Sequence, residues 1–314
     1  MRTELSVVVP VLDEASVLDE LISALLDVLS AAAPAGFELL LVDDGSTDET
    51  WAKVQAWHKT EERVRGLRLS RNFGHQAAVS AGLEHALGDA VIVMDGDMQD
   101  DPAAIAVLLE HHRRGYDVVY GVRVARPESW LKRLGYWAHY RLGARMGEVA
   151  LPVDAGDFGL MSRKVVDTVN HLPERLRYVR GLRAWVGFKQ IGVPIERADR
   201  AAGVSKYTFR RLIRLSIDGL LGFSVMPLRL SIVLGALVIL SAVGYGIFVV
   251  VDRLVTGAPP PGFASLALLS LVLNGTVLVV LGIVGEYVGR IYLEVKARPV
   301  YVVREQLLGS EGDG

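Results

Sequence analysis

The sequence predicts an α/β protein: a mostly parallel sheet flanked by helices, followed by a C-terminal amphipathic helix and a two-helix transmembrane hairpin. Three observations predict it. Short apolar runs alternate with helical patterns from Leu5 to Arg123, as parallel strands joined by crossover helices do. Strand after strand stops at polar residues: Asp13-Glu14, Asp43-Asp44, Arg71-Asn72, Asp95 with Asp97, and Arg123. Two uncharged runs, Leu230–Val251 and Ala264–Val284, are each long enough to cross a bilayer.

Composition narrows the class. The 314 residues carry a formal net charge of −2, so no overall basic character argues for nucleic acid. There is no cysteine, which excludes disulfides, Cys-ligated zinc, iron–sulfur sites and Cys nucleophiles and fits a protein facing the cytoplasm. The hydrophobic fraction of 51% and mean hydropathy of +0.32 are high for a soluble protein, with the excess toward the C-terminus. Acids at Glu4, Asp13 and Glu14, and the shortness of the run Val7–Val11, argue against a signal peptide.

Leu5–Leu12 reads as a buried strand, followed by a helix from about Ser16 to Ala32. Phe37–Val42 is the second strand, and Asp48 beyond it is placed to cap the helix carrying Trp51, Val54 and Trp57. Val64–Leu69 is the third, followed by Arg71-Asn-Phe-Gly-His-Gln76 and a small-residue helix to about Leu87. Val91–Met94 is a short strand buried on both faces, and Val118–Gly121 is another. The polar ends share one edge of the sheet, the carboxyl edge, where open α/β sheets bind ligands. Carboxylates as close as Asp95 and Asp97 repel one another, and hard oxygen ligands suit Mg²⁺ or Mn²⁺. The bland alternative is a solvated turn, since Asp and Gly are turn residues. Neither a Gly-x-Gly-x-x-Gly after the first strand nor a P-loop is present, so the edge offers acids rather than a glycine cradle.

Val8-Val-Pro-Val-Leu-Asp-Glu14, Val42-Asp-Asp-Gly-Ser-Thr-Asp48, Arg71-Asn-Phe-Gly74 and Asp95-Gly-Asp-Met-Gln99, in this order and spacing, resemble the family 2 glycosyltransferases of GT-A fold. The likeness is greatest to the polyprenyl-phosphate branch, with its bactoprenol glucosyltransferases and dolichyl-phosphate mannose synthases. It implies a nucleotide-sugar donor held at Pro10, Glu14, Asp43, Asp44, Arg71 and Asp95. It further implies that Asp95, Asp97 and Gln99 hold the diphosphate through Mg²⁺ or Mn²⁺, Asp97 being essential to catalysis. Turn capping is the alternative for Asp43 and Asp44, and pairing with a neighbouring acid is the alternative for Arg71. Asp100-Asp101-Pro102 departs from the Asp-Pro-Pro-like run expected of the family.

Glu128–Met146 reads as a helix in which Trp130, Tyr136, Trp137 and Tyr140 are interleaved with basic residues. That mixture suits a membrane interface, or else an ordinary helix covering the sheet. Asp154 and Asp157 lie in an expected loop before a strand, and the resemblance makes one of them the acceptor-side acid, Asp157 ahead of Asp154. A phosphate monoester, with a second pKa of about 6, is already an anionic nucleophile. This acid is therefore expected to orient groups or balance charge as readily as to act as a base. Arg180-Gly-Leu-Arg-Ala-Trp-Val-Gly-Phe188 resembles the bactoprenol glucosyltransferase segment, not the Gln-x-x-Arg-Trp of processive synthases. Val193–Arg197 is an expected strand. Arg200-Ala-Ala-Gly-Val-Ser-Lys-Tyr207 has the cations, hydroxyl and turn of an anion site. By resemblance Arg200, Ser205 and Lys206, with Arg123, hold the lipid phosphate.

Phe209–Phe223 reads as a basic amphipathic helix suited to the bilayer surface. Basic residues flank both apolar runs on their outer sides, while the intervening loop has only Arg253, which places both termini in the cytoplasm. Asn274, inside the second run, is expected to bond a neighbouring helix. The expected divisions are a catalytic domain over 1–205, the interface helix over 206–226, the hairpin over 227–290 and a cytoplasmic tail over 291–314. In that tail Pro299–Val303 is an expected strand, docking on this chain or on another.

The resemblance implies transfer of one sugar, with inversion, from a nucleotide-sugar to undecaprenyl or another polyprenyl phosphate on the cytoplasmic leaflet. UDP-hexose such as UDP-glucose is the expected donor, with GDP-mannose, UDP-GlcNAc and UDP-amino-arabinose as alternatives. A homotetramer is the implied assembly. The rivals are a transferase for a soluble or protein acceptor, a processive synthase, and a non-enzymatic membrane scaffold.

Overall fold

The computed structural model describes residues 3–123, 155–175, 177–195, 226–256 and 262–308. Asp154, Arg200, Ser205, Lys206 and the helices expected over 128–146 and 209–223 lie outside them, as does the side chain of Arg123. The chain divides into two units, one holding the sheet together with the residues from Arg298 onward, the other holding the two long helices.

The first unit runs β1 (Leu5–Val11), α1 (Leu18–Ala32), β2 (Phe37–Asp43), α2 (Thr50–Thr60), β3 (Val64–Leu69), α3 (His75–His85), β4 (Ala90–Val93) and α4 (Ala104–Arg113). It continues with β5 (Val118–Arg123), β6 (Ala155–Ser162), α5 (Arg163–His171), α6 (Val179–Trp185), β7 (Gln190–Ile195) and β8 (Val303–Leu307). Among the described residues the strands form one sheet in the order β7-β5-β6-β4-β1-β2-β3-β8. β4, β1, β2 and β3 run parallel, as does β7 with β5, whereas β6 and β8 are antiparallel to their neighbours.

The sheet is covered on both faces, which is why its central strands read as unbroken apolar runs. All seven residues of β1 are buried. Leu5, Val7, Val9 and Val11 point into one core with Leu18, Ile22, Leu25 and Leu29 of α1 and with Ile105 and Leu108 of α4. Val8 points into the other, with Ala78, Ala81, Val165 and Val169. The helical spacing of the α1 leucines makes the stripe that fits the first face. Small residues in α3 let it lie close: a Cβ on Gly82 would meet Val8 Cγ1 at 2.1 Å.

A charge is buried at the edge of the sheet opposite the polar strand ends. The Glu38 carboxylate, 3% exposed, accepts from Ser6 Oγ (2.5 Å), from the Leu87 amide (2.6 Å) and from Arg65. Ser6 Oγ in turn accepts from the Gly88 amide at 2.8 Å. Its three donors satisfy the carboxylate in the interior, and it ties β1, β2, β3 and the turn before β4 together.

Several boundaries differ from those read in the sequence. β6 begins at Ala155, so Asp157 lies within a strand rather than in a loop before one. β7 begins at Gln190, earlier than the apolar signal at Val193. In the tail the strand lies at β8, Val303–Leu307, sharing only Val303 with the expected Pro299–Val303, and it docks on β3 of this same chain.

The second unit holds α7 (Met226–Thr256) and α8 (Gly262–Val295). Their stretches Leu230–Val255 and Leu269–Val295 are long and apolar enough to cross a membrane. Leu240, Phe248, Leu254 and Leu278 are each more than 60% exposed, an apolar surface that a helix in water does not keep. Asn274 Nδ2 donates to the Ser270 carbonyl of its own helix at 2.7 Å.

Candidate active site

The polar residues converge where β1, β2, β3 and β4 end and β6 begins. β6 runs antiparallel to β4, so its start lies at the same edge as the end of β4. Val93 pairs with Gly159, and continuing that register by two residues sets Asp157 across from Asp95. The edge is built from strained turns. Asp13 after β1 and Met98 after β4 have φ of +53° and +58°. Positive φ is unusual for Met and is held by its surroundings. Gly96 lies against the end of β1, where a Cβ would stand 3.0 Å from the Pro10 carbonyl oxygen.

Asp43 and Asp44 point into this edge and are buried, at 0% and 3% exposure. Asp43 Oδ1 accepts from the Ser46 amide at 2.8 Å, while Oδ2 is buried without a hydrogen bond, 3.3 Å from Arg68 Nε. Burial pushes the Asp43 carboxyl above its ordinary range, against the bonds from Ser46 and the charge of Arg68. Asp44 reaches to the next loop, accepting from the Phe73 amide (2.7 Å) and the Gly74 amide (2.9 Å). Its carboxyl is likewise raised by burial. The two loops touch because residue 45 is glycine: φ is +78°, and a Cβ would meet the Arg71 carbonyl carbon at 2.6 Å.

On the first loop, Asp13 Oδ1 accepts from the Thr47 amide at 2.8 Å, and the Glu14 amide donates to Thr50 Oγ1 at 3.0 Å. Asp48 Oδ1 accepts from the Thr50 amide at the start of α2, one residue before the position expected of a cap, which Glu49 occupies without a side-chain bond. Arg71 stacks on Phe73 at 3.9 Å and donates to the Asn72 carbonyl, so its described contacts lie within its own loop.

Asp157 is the most constrained acid. Its oxygens accept from Arg180 Nε (2.6 Å) and Nη2 (2.8 Å), and His75 Nε2 lies 3.1 Å from Oδ2. Burial alone raises such a carboxyl, but these bonds outweigh it and hold Asp157 well below the usual carboxylate range. For His75 burial works against the charge, and the bond to Asp157 overrides it, raising the imidazole above its ordinary value. His75 Nε2 is also 3.8 Å from Asp95 Oδ1. Nearby, Arg183 is 4% exposed and pushed down to about 10 by burial. It donates to the Gly156 carbonyl (3.3 Å) and lies over the Tyr120 ring at 5.3 Å.

The family described as Glycosyl transferase family 2 matches residues 6–169, more than half of the chain. It belongs to glycosyltransferase family 2. An uncharacterized glycosyltransferase of Synechocystis sp. is 40% identical over 306 residues, 97% of this chain and 96% of the relative. A prophage-derived bactoprenol glucosyl transferase of Shigella flexneri is 36% identical over 308 residues, covering 98% and 99%. Among solved structures, the mannosyltransferase of Pyrobaculum calidifontis in complex with GDP-Man and Mn²⁺ matches with a TM-score of 0.47 and 19% identity, covering 65% of this chain and 59% of that one.

A glycosyltransferase of family 2 that works through a divalent cation needs oxygen donors at the strand end, and the donor set here fits. Ligand atoms of His75, Asp95 and Asp157 lie within 4.8 Å of one another. Both Asp157 oxygens receive the Arg180 fork, and Asp95 and Asp97, in the turn after β4, bring further carboxylates to the same edge. Asp97 accepts from the Gln99 amide at 3.2 Å, which folds the turn so that Asp97 and Gln99 stay together.

Pro10, Glu14, Asp43, Asp44, Arg71, Asp95, Asp97, Gln99 and Asp157 all belong to this edge or to the loops leaving it. Two residues that meet Asp157 carried no clear signal. His75 was one of several residues in a loop motif, and only its place at the start of α3 brings it to Asp157. Arg180 is read in the sequence only as the first residue of the segment that resembles the bactoprenol glucosyltransferases. The cue was a charge three residues before Arg183, in a stretch whose helix packs on β6.

Proposed function

We propose that the chain transfers a single hexose, with inversion, from a UDP-sugar to a polyprenyl phosphate on the cytoplasmic leaflet. The observation that carries this reading is the near full-length similarity to a bactoprenol glucosyl transferase, which spans the acid edge and both apolar helices. In this reading the nucleoside lies against Pro10, Glu14, Asp43 and Asp44, with Arg71 beside it. Asp95, Asp97 and Gln99 hold Mg²⁺ or Mn²⁺, which when bound neutralises the leaving diphosphate. Arg123, Arg200, Ser205 and Lys206 hold the lipid phosphate. Asp157, kept ionised by Arg180 and His75, acts as a fixed negative charge on the acceptor side, with Asp154 as the other candidate. An acid held so far below its usual range accepts a proton poorly, so its role is to orient groups. The phosphate nucleophile needs no base. We further propose the divisions 1–205, 206–226, 227–290 and 291–314, both termini cytoplasmic, and a homotetramer.

The test is direct. Purified protein in detergent is given undecaprenyl phosphate, Mn²⁺ or Mg²⁺, and a panel of UDP- and GDP-sugars, and products are read by mass spectrometry. One glycosyl-phosphoryl-lipid from one UDP-hexose is the expected result. Nucleotide release without a glycolipid removes the lipid acceptor and moves the reading to a soluble or protein acceptor.

A further inference from the structure

We infer that Glu305 and Arg68 are positioning residues for the Asp43 carboxylate, so that the C-terminal strand sets how well the site takes a nucleobase. The inference rests on the reading that Asp43 contacts the donor's nucleoside.

Three charged side chains stand abreast on adjacent strands. Asp43 of β2 is register partner to Arg68 of β3, and Arg68 is register partner to Glu305 of β8. Arg68 is thus shared between two acids: Nη1 donates to Glu305 Oε1 at 3.2 Å, and Nε lies 3.3 Å from Asp43 Oδ2 without making a hydrogen bond to it. Its position is fixed from a third side by Trp51. The guanidinium lies over the Trp51 ring at 5.7 Å, and Trp51 Nε1 donates to Glu305 Oε2 at 3.0 Å. β8 is anchored independently of this group, by the Ser70 amide on the Val302 carbonyl (2.8 Å) and by Tyr301 on Glu84 (2.5 Å).

A buried carboxylate oxygen with no hydrogen bond is costly unless something donates to it. Arg68 is in ion-pair range of it at 3.3 Å but makes no hydrogen bond to it, while its Nη1 is engaged by Glu305. The group suited to Asp43 Oδ2 is therefore a ligand N–H or O–H, such as the imide of a pyrimidine or the amide of a purine. Removing the Glu305 charge frees Arg68 to close on Asp43 and compete with that ligand.

The experiment uses the full-length protein in detergent, with UDP and then GDP as probes in calorimetric titrations. Glu305→Gln is expected to weaken binding of the nucleotide on the order of tenfold, the scale of one charge-assisted hydrogen bond, and to leave the KM for lipid phosphate unchanged. Arg68→Met in the Glu305→Gln background is expected to restore most of the loss, which damage to the fold does not predict. If Glu305→Gln binds as the parent does while Asp43→Asn binds poorly, the coupling is wrong and the donor-site reading stands. A loss in Glu305→Gln that Arg68→Met leaves in place also overturns it. If Asp43→Asn binds as tightly as the parent, or the parent binds neither nucleotide, the donor-site reading fails and the inference with it.

Discussion

At the scale of single residues, the acids at the strand ends divide by what holds them. Asp157 is fixed by a bidentate arginine, Asp44 by two backbone amides, and Asp97 by the turn it folds. Changing Asp97 to Asn is expected to lower turnover by roughly 100-fold or more with little change in thermal stability, measured as glycolipid formation over a range of Mn²⁺. Turnover at the parent rate removes Asp97 from the metal site. Arg180→Met acts differently, because it strands a buried carboxylate. Its cost is roughly 3 kcal/mol, the low end for a buried pair because the Arg180 side chain is 35% exposed. The pH dependence follows from the direction of the shift. A carboxyl whose folded pKa is depressed contributes stability above its unfolded pKa, and that stability is lost as pH falls through the folded value. The unfolded state is common to both proteins, so the gap in unfolding midpoint between parent and Arg180→Met is expected to be widest at neutral pH and to narrow as pH falls through the Asp157 pKa of the variant, which burial raises once Arg180 is gone. The acids themselves were legible in the sequence, since each ends an apolar run. Their partners were not: Arg180 and His75 reach Asp157 across 23 and 82 residues, and no periodicity records such a meeting.

At the scale of elements, the sequence carried the first four strands and their helices because each strand is buried on both faces and each helix has one apolar stripe. β6 was harder to read. Its polar start looked like loop, yet an antiparallel strand entering from the ligand edge begins among polar residues for the same reason that parallel strands end among them. The loops also separate two uses of glycine. Gly45 has both a positive φ and three backbone atoms of the next loop within 2.9 Å of where a Cβ would stand, whereas Gly74 has φ of +101° and open space. Gly74→Ala is expected to cost about 1–2 kcal/mol through backbone strain alone. Gly45→Ala is expected to cost clearly more, by roughly another 1–3 kcal/mol, and to weaken nucleotide binding, because the two loops must part. Thermal unfolding of the pair checks this, and equal midpoints contradict the proposed close approach of the loops.

At the scale of the whole molecule, the two apolar helices were legible as uninterrupted runs, and the protein is expected to stay with the membrane pellet through an alkaline carbonate wash and to leave it only in detergent. Recovery in the wash supernatant speaks against spanning helices. The pairing of β8 with β3 was not legible, because it joins residues as far apart as 241 positions (Gly66 with Leu307) and a five-residue strand with alternating exposure carries little signal by itself. That pairing gives the chain a history. A ribosome makes β1 to β7 first and the two apolar helices next, and only then the strand that closes the sheet. Until that last strand is made, β3 presents an open row of amides and carbonyls, the kind of edge that recruits other chains. The sheet unit is thus finished only after the apolar helices have left the ribosome, and for a nascent chain the interval between the two is the period of greatest exposure to aggregation.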